Sequence, residues 1–321
     1  MPISGAGSYV PAINQFLPHW ADVNTALGAS GPLVLPDGTT VAALTTLRDQ
    51  LEAIAASLQG KLNDAQLASA DVAQKKLALM GRLAEVNRKV RGFLSHTIYA
   101  AALPEVPTVS SAPGIILEAM DDMASLWSKI NAATIPGFTG PLALLNAYPI
   151  ATLATDLAAL KAAYAALQGA NQDVDLERKL RLAAQDKAYA AVRDYRKAVG
   201  GLFAETDPLV LTLPKLSPDP GATPDPITAS ISWDVTQQKA KLTWSASTDP
   251  NLSHYEVRFC TGPTYSTDDE STLGTITPAE PREFFTESGL VSPGDIASFK
   301  VYVVLTTGNE KGGNTVTITR P

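Results

Sequence analysis

The sequence predicts a multidomain α plus β protein, in which an N-terminal antiparallel helical bundle built from a tandem duplication precedes a C-terminal all-β sandwich. Up to about residue 205 the chain is rich in Ala and Leu, and its apolar residues recur at helical spacing. After residue 226, Thr, Ser, Val and aromatic residues alternate in short runs, which is typical of strands. Six of the nineteen residues from Pro208 to Pro226 are Pro, which predicts an extended, semi-rigid linker between the two parts.

The helical part contains an internal repeat. A shift of 109 residues aligns positions 31–94 with positions 140–203 without a gap and with 17 identities in 64 positions. The matched residues include Gly-Pro-Leu and Leu-Gln-Gly triplets at turn positions, which the composition of Ala-rich helices does not explain. A shift of 107 aligns Trp20 with Trp127 and Asn24 with Asn131, so the copies differ by two residues in one loop.

Each copy is predicted to form a short Trp-bearing helix, an irregular loop and two longer helices. We expect the longer helices to be joined by turns at Gly60 and Gly169, with Asp64 and Asp173 as the following N-caps. The two resulting hairpins would close one bundle and cover each other's apolar faces. The predicted divisions are repeat 1 at 1–103, repeat 2 at 104–206, the linker at 207–226 and the sandwich at 227–321.

The C-terminal motifs resemble the fibronectin type III family. Lys241 to Trp244 is similar to the second strand with its core Trp, and Tyr255 to Phe259 is similar to the third strand. The stretch from Leu290 through Phe299–Val303 to Gly308 is similar to the approach to the sixth strand and to the strand itself. One departure is Ala297, which stands where the family usually has its corner Tyr. The resemblance implies a sandwich that serves as a binding or spacer module, without a particular receptor.

Composition excludes several classes of protein. The formal net charge is −7, which argues against broad nucleic-acid binding. The single Cys260 rules out an internal disulfide, and no apolar run approaches the ~20 residues of a membrane span, so we expect no membrane insertion. The first residues also lack the pattern of a signal peptide. The β module nevertheless favours an extracellular or cell-surface location, which would require non-classical export, so the compartment stays open.

Residues with catalytic potential are few. His19, His96 and His254 lack the spacing of metal ligands, and Cys260 lacks an identifiable basic neighbour, so packing or surface roles are favoured for all four. We therefore expect no enzyme activity, no catalytic or metal-binding residues and no cofactor. A hydrolase is retained as a third class only because type III modules often accompany enzymes that act on polysaccharides.

Several charged and aromatic residues have alternative interpretations. Asp268, Asp269 and Glu270 lie in a predicted inter-strand loop, which favours a solvated loop over a Ca²⁺ site. Trp20 and Trp127 favour core anchors over ligand stackers. A first helical turn and an exposed helix face account for Glu118, Asp121 and Asp122. An ordinary solvated face is favoured over an acidic partner, such as a neighbouring subunit's C-terminal domain, for seven basic residues: Arg82, Arg88, Lys89, Arg91, Arg193, Arg196 and Lys197.

The functional hypothesis is a non-enzymatic structural or assembly protein. It would be a subunit of a homo-oligomer, filament or surface array that uses the sandwich as its contact module. The alternative is a surface or phage-like adhesin, or a carbohydrate-binding protein, whose sandwich loops bind a protein or glycan ligand.

Overall fold

The structure is a computed structural model and describes residue 3 and residues 5–108, 110–217, 221, 223–291 and 293–321. Within these residues, six α-helices come first: α1 (Tyr9–Leu27), α2 (Val41–Phe93), α3 (Ile98–Ala101), α4 (Pro113–Ala132), α5 (Ile150–Leu202) and α6 (Pro208–Leu211). Eight strands follow in the same residues: β1 (Ala229–Asp234), β2 (Lys239–Trp244), β3 (Leu252–Thr261), β4 (Ser271–Ile276), β5 (Glu283–Thr286), β6 (Ile296–Leu305), β7 (Glu310–Gly312) and β8 (Val316–Thr319). The predicted fold class, helical first and antiparallel β afterwards, is confirmed.

The duplication is visible in the helix bounds and in the hydrogen bonds. Helices α2 and α5 each have 53 residues, and both their first and their last residues are 109 positions apart. The Leu33 amide donates to Asn24 Oδ1 at 2.8 Å, and the equivalent Leu142 amide donates to Asn131 Oδ1 at 2.7 Å. These contacts join the Trp-bearing helix of each copy to its Gly-Pro-Leu loop, so the two copies share a local structure as well as a sequence.

The predicted turns at Gly60 and Gly169 are wrong, because α2 and α5 continue through both positions. Neither glycine has a positive φ, and Asp64 and Asp173 lie within helices instead of at N-caps. A single Gly costs a helix only about 1 kcal/mol relative to Ala. The flanking Ala, Leu, Gln and Lys residues favour the helix, so that cost does not end it.

The chain divides into two compact units. One unit contains Met1–Asn63 and Val174–Pro321, and the other contains Asp64–Asp173. The units therefore differ from the sequence repeats, since each takes part of α2 and part of α5. Each has its own helical core, and both cores contain residues from both copies. The copies thus cover each other's apolar faces in two separate cores.

The smaller unit is built from helices in the part of it that the structure describes. Its core combines the last part of α2, α4 and the first part of α5. Trp127 is fully buried there, and its indole N–H donates to the Leu142 carbonyl at 2.8 Å. One window of α5 is long and apolar enough to cross a membrane by length and composition alone, and 22% of that window is buried. The buried leucines of α5 in this unit include Leu153, Leu157 and Leu160.

The larger unit has a helical core of α1, the first part of α2 and the last part of α5. Trp20 is fully buried and stacks on Tyr195 with ring centroids 4.3 Å apart. The Ser57 hydroxyl donates to Glu177 at 2.8 Å, while Leu44 packs in the same cluster as Val199. The later residue of α2 is thus paired with the earlier residue of α5, so the two helices are antiparallel in this unit.

Residues 208–216 differ from the predicted extended linker. Pro208 is the first residue of α6, and Asp207 caps this helix by accepting a hydrogen bond from the Leu209 amide at 2.8 Å. Leu213 and Leu216 pack on the helical core. Segment 208–216 corresponds to 98–106 in the first copy, where α3 also follows the long helix. Pro at the first helical position favours this structure, because its missing N–H is not needed there.

Some sequence predictions fall on undescribed positions. Pro218, Asp219, Pro220 and Ala222 of the predicted linker lie outside the described residues, as do Met1, Pro2 and Ser4 at the start of the chain and Val109 between the copies.

The sandwich in the larger unit consists of two antiparallel sheets. One has the order β1-β2-β5, and the other has the order β4-β3-β6-β7 with β8 also paired to β6. Side chains that alternate along β2, β3 and β6 meet in the shared core, including Leu242, Trp244 and Val301. Ala297 is also buried in this core, and it lacks the hydroxyl of a corner Tyr.

Helix continuity can be tested by substituting the two mid-helix glycines. Gly60→Ala and Gly169→Ala are each expected to raise the free energy of unfolding by about 0.5–1 kcal/mol, because Ala reduces the entropy lost on helix formation. No heavy atom lies within 4 Å of a Cβ added at either position. Chemical denaturation of the full chain measures the effect.

Gly38→Ala is the matched control, since a Cβ there also meets nothing within 4 Å but φ is +86°. This variant should lower the free energy of unfolding. Destabilisation of Gly60→Ala or Gly169→Ala to the same extent would contradict a continuous helix.

Candidate functional site

A buried cluster of charged side chains lies on the outer face of β3 in the larger unit. Glu256 and Arg258 alternate with Val257 and Phe259, which point into the sandwich core. A strand face of this kind is normally solvated. Here Glu256 is only 4% exposed and Arg258 only 3% exposed. Both faces of β3 are therefore buried here, whereas a sandwich strand normally has one face in solvent.

Arg258 is ion-paired with three carboxylates. It donates to Glu256 at 2.7 Å, to Glu270 at 2.9 Å and to both oxygens of Glu310 at 3.1 and 2.7 Å. Its guanidinium also lies over the Tyr302 ring, 4.0 Å from the centroid. Burial lowers the pKa of Arg258, but the hydrogen bonds and charges of Glu256 and Glu310 outweigh this effect and raise it. The pairing therefore keeps the guanidinium charged.

Two tyrosines complete the bonding of Glu270. Tyr265 donates to Glu270 Oε2 at 2.5 Å, and Tyr302 donates to the same oxygen at 3.0 Å. Burial, followed by the charge of Glu270, raises the pKa of Tyr302 from about 10 to about 12, and the same causes raise the pKa of Tyr265. Both hydroxyls therefore stay protonated and act as donors at neutral pH.

Helix α5 supplies a second set of arginines to the same region. Arg178 donates to both carboxylate oxygens of Asp269, at 2.8 and 2.6 Å. Arg181 donates to the main-chain carbonyl of Asp268. The hydrogen bond to Asp269 raises the pKa of Arg178, whereas burial lowers the pKa of Arg181. Two neighbouring arginines of one helix thus have different electrostatic environments.

Helix α2 also contacts the sandwich within this unit. The Gln59 amide donates to the Ser271 hydroxyl at 3.2 Å, and its oxygen accepts from Thr261 at 3.1 Å. Ser271 begins β4, an edge strand of its sheet. Covering an edge strand removes a surface that would otherwise pair with another chain.

Two cavities adjoin the charged cluster. The larger, of about 740 Å³, is lined by Tyr9, Arg181, Arg258, Tyr302 and Glu310 among others. The smaller, of about 330 Å³, lies beside α1, α2 and β4. Arg181, Gln185 and Glu270 line both cavities. This volume is sufficient for a small molecule.

The expectation of a solvated loop at Asp268–Glu270 is wrong for two of its three residues. Asp269 is 8% exposed and Glu270 is 5% exposed, because arginines of α5 and β3 cover them. Their carboxylate oxygens accept from Arg178, Arg258 and two tyrosines, which occupies the positions that Ca²⁺ would need. Among the described residues, no group of three or more His, Cys, Asp or Glu is arranged to hold a metal ion.

The predicted histidines and the cysteine do not converge on this cluster. His19 bonds to the Tyr195 hydroxyl and the Leu209 carbonyl, and His254 bonds to the Ser253 hydroxyl. His96 is exposed. Cys260 is buried, and burial raises the pKa of its thiol to about 11. A thiol with this pKa is a poor nucleophile at neutral pH.

Most of the predicted basic residues have partners near their own helices. Arg82 pairs with Glu85, Arg193 and Lys197 pair with Asp194, and Arg91 donates to Asn87. Main-chain carbonyls of Ala143 and Pro214 accept from Lys89 and Arg196. Arg88 is exposed. The arginines that do contact the acidic sandwich are Arg178 and Arg181 of the same chain.

The remaining predicted residues lie away from the cluster. Trp20 and Trp127 are fully buried, which confirms their roles as core anchors. Glu118, Asp121 and Asp122 of α4 are exposed, as an exposed helix face requires, but the predicted charged first turn is wrong, because α4 begins at Pro113 and its first turn contains no acidic residue. Asp121 pairs with Lys161 at 2.9 Å, a contact made in the smaller unit.

Sequence reasoning missed Glu256, Arg258 and Glu310 as a group. Alternating charged residues in a sandwich strand predict a solvated face, and nothing in the local pattern indicates that helices cover it. Glu270 and Glu310 of the sandwich line the same cavity. Both are ion-paired with Arg258, which limits their use as a general acid or base.

Comparisons with known proteins give weak likenesses. No family model matches the sequence, and no curated protein matches it. Pectate lyase PelI from Erwinia chrysanthemi, solved with tetragalacturonic acid, is 22% identical over 29% of this chain and 28% of its own, with a TM-score of 0.24. Pectate lyase Pel3 from Pectobacterium carotovorum is 13% identical over 29% of this chain and 27% of its own, with a TM-score of 0.25.

An Fn3-like protein from Clostridium thermocellum is 20% identical over 31% of this chain and 96% of its own, with a TM-score of 0.25. The chain spans little more than a quarter of the length of the pectate lyases. Likenesses of this size identify neither a family nor an activity.

Removing Arg258 tests the stabilising role of the cluster. Arg258→Gln is expected to lower the free energy of unfolding by about 3–5 kcal/mol, because it leaves buried carboxylates without a cation. Urea denaturation of the full chain measures the loss. Arg193→Gln, which removes an exposed arginine paired with Asp194, is the control and should leave stability unchanged. Equal effects of the two variants would contradict the assignment.

The raised pKa values of the two tyrosines predict a loss of stability at alkaline pH. Because the pKa of Tyr302 is raised from about 10 to about 12, its contribution is fully present below pH 10 and is lost as pH rises towards 12. Tyr302→Phe should therefore lose stability less steeply over this interval. Denaturation midpoints measured at several pH values from about 8 to about 12 compare the two proteins. Parallel pH profiles would argue against a raised pKa.

Proposed function

We propose that the protein is a non-enzymatic structural subunit that assembles with further copies of itself. The observation that carries this proposal is the attachment of the sandwich to α2 and α5 by side-chain hydrogen bonds. Arg178 holds Asp269 through two hydrogen bonds, and Gln59 bridges Thr261 and Ser271. A module suspended from a flexible linker would not form these hydrogen bonds with the helices, so the sandwich serves as a rigid part of its unit.

The chemistry of the site supports a structural role over a catalytic one. Glu256, Glu270 and Glu310 are all ion-paired with Arg258. The Cys260 thiol has a pKa of about 11. These groups hold the sandwich together and are poorly suited to proton transfer or nucleophilic attack at neutral pH.

An exposed apolar face on α2 and α5 supports self-association. Leu176 and Leu180 are one turn apart on α5 and are 55% and 47% exposed. Leu180 and the buried Ala184 line a groove of about 340 Å³ between the two helices. The other lining residues are Gln50, Ala53, Ile54, Ala183 and Lys187. An antiparallel helix pair with one unpartnered apolar side can bury it in a four-helix arrangement.

We assign the face to a second copy of the chain because its charges are self-complementary. Lys187 of α5 lines the groove with Gln50 of α2, and Asp49 precedes Gln50. Asp49 is ion-paired through Oδ1 with Arg48, and its side chain is 58% exposed. A two-fold axis parallel to the helices would stack α2 of one copy on α5 of the other. Asp49 would then lie at the level of the other copy's Lys187, twice per interface.

The duplication extends this proposal beyond a dimer. Leu67 in the smaller unit is the sequence equivalent of Leu176 and is 59% exposed. Each unit therefore presents a leucine at the same position of its long helix. Two contact surfaces per chain are the requirement for growth into a larger homo-oligomer or a filament.

Self-association is tested by molar mass. The native chain is expected to exceed 33.7 kDa in size-exclusion light scattering as concentration rises over a hundredfold range. A Leu176→Glu, Leu180→Glu double variant should remain at the monomer mass, because it places charge in the apolar contact. Negative-stain images of any large species would reveal its order.

Val235→Glu is the matched control, since Val235 is a 74% exposed apolar residue of the sandwich. It should assemble like the native chain. A native chain that stays monomeric over the whole range, or equal masses for the native chain and the leucine variant, would overturn the proposed contact.

A further inference from the structure

Arg181 is a buried cation without a carboxylate partner among the described residues. Its side chain lies where the two cavities of the larger unit meet, and the residue is 9% exposed. Its hydrogen-bond acceptor is the main-chain carbonyl of Asp268. In the part of the chain that the structure describes, no carboxylate oxygen lies within 4.0 Å of a guanidinium nitrogen of Arg181, which is the distance limit of a salt bridge. A guanidinium has five N–H groups, so most of its donor capacity is directed elsewhere.

The neighbouring arginines differ from Arg181 in this respect. Arg178 has both oxygens of Asp269, and Arg258 has three glutamates. An unpaired buried cation costs free energy, because it loses hydration without gaining an ion pair. Consistent with this, burial lowers the pKa of Arg181, while the pKa of each of the other two arginines is raised.

Against the larger effect of burial, the charges of Asp269 and Asp268 raise the pKa of Arg181, but among the described residues no acid lies at ion-pair distance from it. Glu270 and Glu310 are ion-paired with Arg258, and Asp269 is held by Arg178. Asp268 is exposed and offers Arg181 its carbonyl, not its carboxylate. The larger cavity is therefore lined by the Arg181 guanidinium, which has no carboxylate partner among the described residues, and by Glu270 and Glu310, which are already ion-paired with Arg258.

We propose that Arg181 binds the carboxylate of a small organic acid in these cavities. A planar guanidinium matches a carboxylate through two parallel hydrogen bonds. Glu270 and Glu310 repel a doubly charged anion, which favours a monocarboxylate over phosphate. Hydroxyl or amino groups on the ligand would donate to Glu310, whose oxygens each accept one hydrogen bond from Arg258, and Tyr9 and Leu182 provide apolar contact. The ligand class is therefore a hydroxy- or amino-substituted monocarboxylate.

This binding site is independent of the proposed self-association, which uses the outer face of α2 and α5. Either can fail without the other, because light scattering reports one and ligand-dependent stability reports the other.

The first experiment measures the thermal unfolding midpoint of the full chain with lactate, gluconate or alanine, and separately with inorganic phosphate, at constant ionic strength. At least one monocarboxylate is expected to raise the midpoint in proportion to the logarithm of its concentration, and phosphate to have no effect. Arg181→Gln should weaken the apparent affinity at least tenfold. Arg193→Gln, an exposed arginine on the same helix, is the control and should retain it.

Loss of the monocarboxylate effect in Arg181→Gln alone supports the site. Absence of any effect in the native chain, or equal effects in the native chain and Arg181→Gln, would overturn it. A phosphate effect that depends on Arg181 would also overturn the assignment to monocarboxylates.

A second experiment needs no ligand. If Arg181 binds a ligand and does not stabilise the fold, Arg181→Met should leave the urea unfolding midpoint of the free chain unchanged or raise it. The reason is that this substitution removes a buried charge without a carboxylate partner. Arg258→Met should lower the same midpoint. A loss in Arg181→Met as large as that in Arg258→Met would show that Arg181 is a structural residue, and would refute the proposal.

Discussion

The structure of the larger unit depends on the compensation of buried charge around Arg258. One guanidinium on β3 holds three glutamates, which come from β3, from the residue before β4 and from β7, and two tyrosine hydroxyls satisfy the remaining oxygen of Glu270. Without this compensation the outer face of β3 would need water, and the helices could not cover it. The charge network therefore permits an α-helical layer and a β-sandwich to share one compact unit.

The duplication supplies the helices for both units. Each helical core takes the Trp-bearing helix and the first part of a long helix from one copy, and the last part of the long helix from the other. Neither copy can therefore bury its apolar side alone, which explains why the repeat is retained as a pair. The two copies then differ in their additions, since α5 alone has Arg178 and Arg181 where α2 has Ser69 and Val72.

The arginines around the cavities differ in whether a carboxylate of the chain is paired with them. Arg178 and Arg258 are matched to carboxylates, so they add rigidity and little reactivity. Arg181 is not matched and borders both cavities. Uncompensated buried charge is a cost to folding, and proteins retain such costs mainly where binding offsets them. The proposed binding would thus use a different residue from those that make the surface rigid.

The sequence by itself determined the fold class, the duplication, the Trp anchors and the strands of the sandwich, because periodicity and repeats depend on local spacing. The continuity of α2 and α5 through Gly60 and Gly169 depends on a local balance that the glycine signal obscured, since helix-forming neighbours outweigh the small cost of each glycine. Tertiary structure alone decided how the parts of these helices divide between two cores. It also decided the charge cluster. Glu256 and Arg258 have the alternation of a solvated strand face, and only their cross-strand partners, together with the residues of α5 that line the same cavity, turn that face into a buried site.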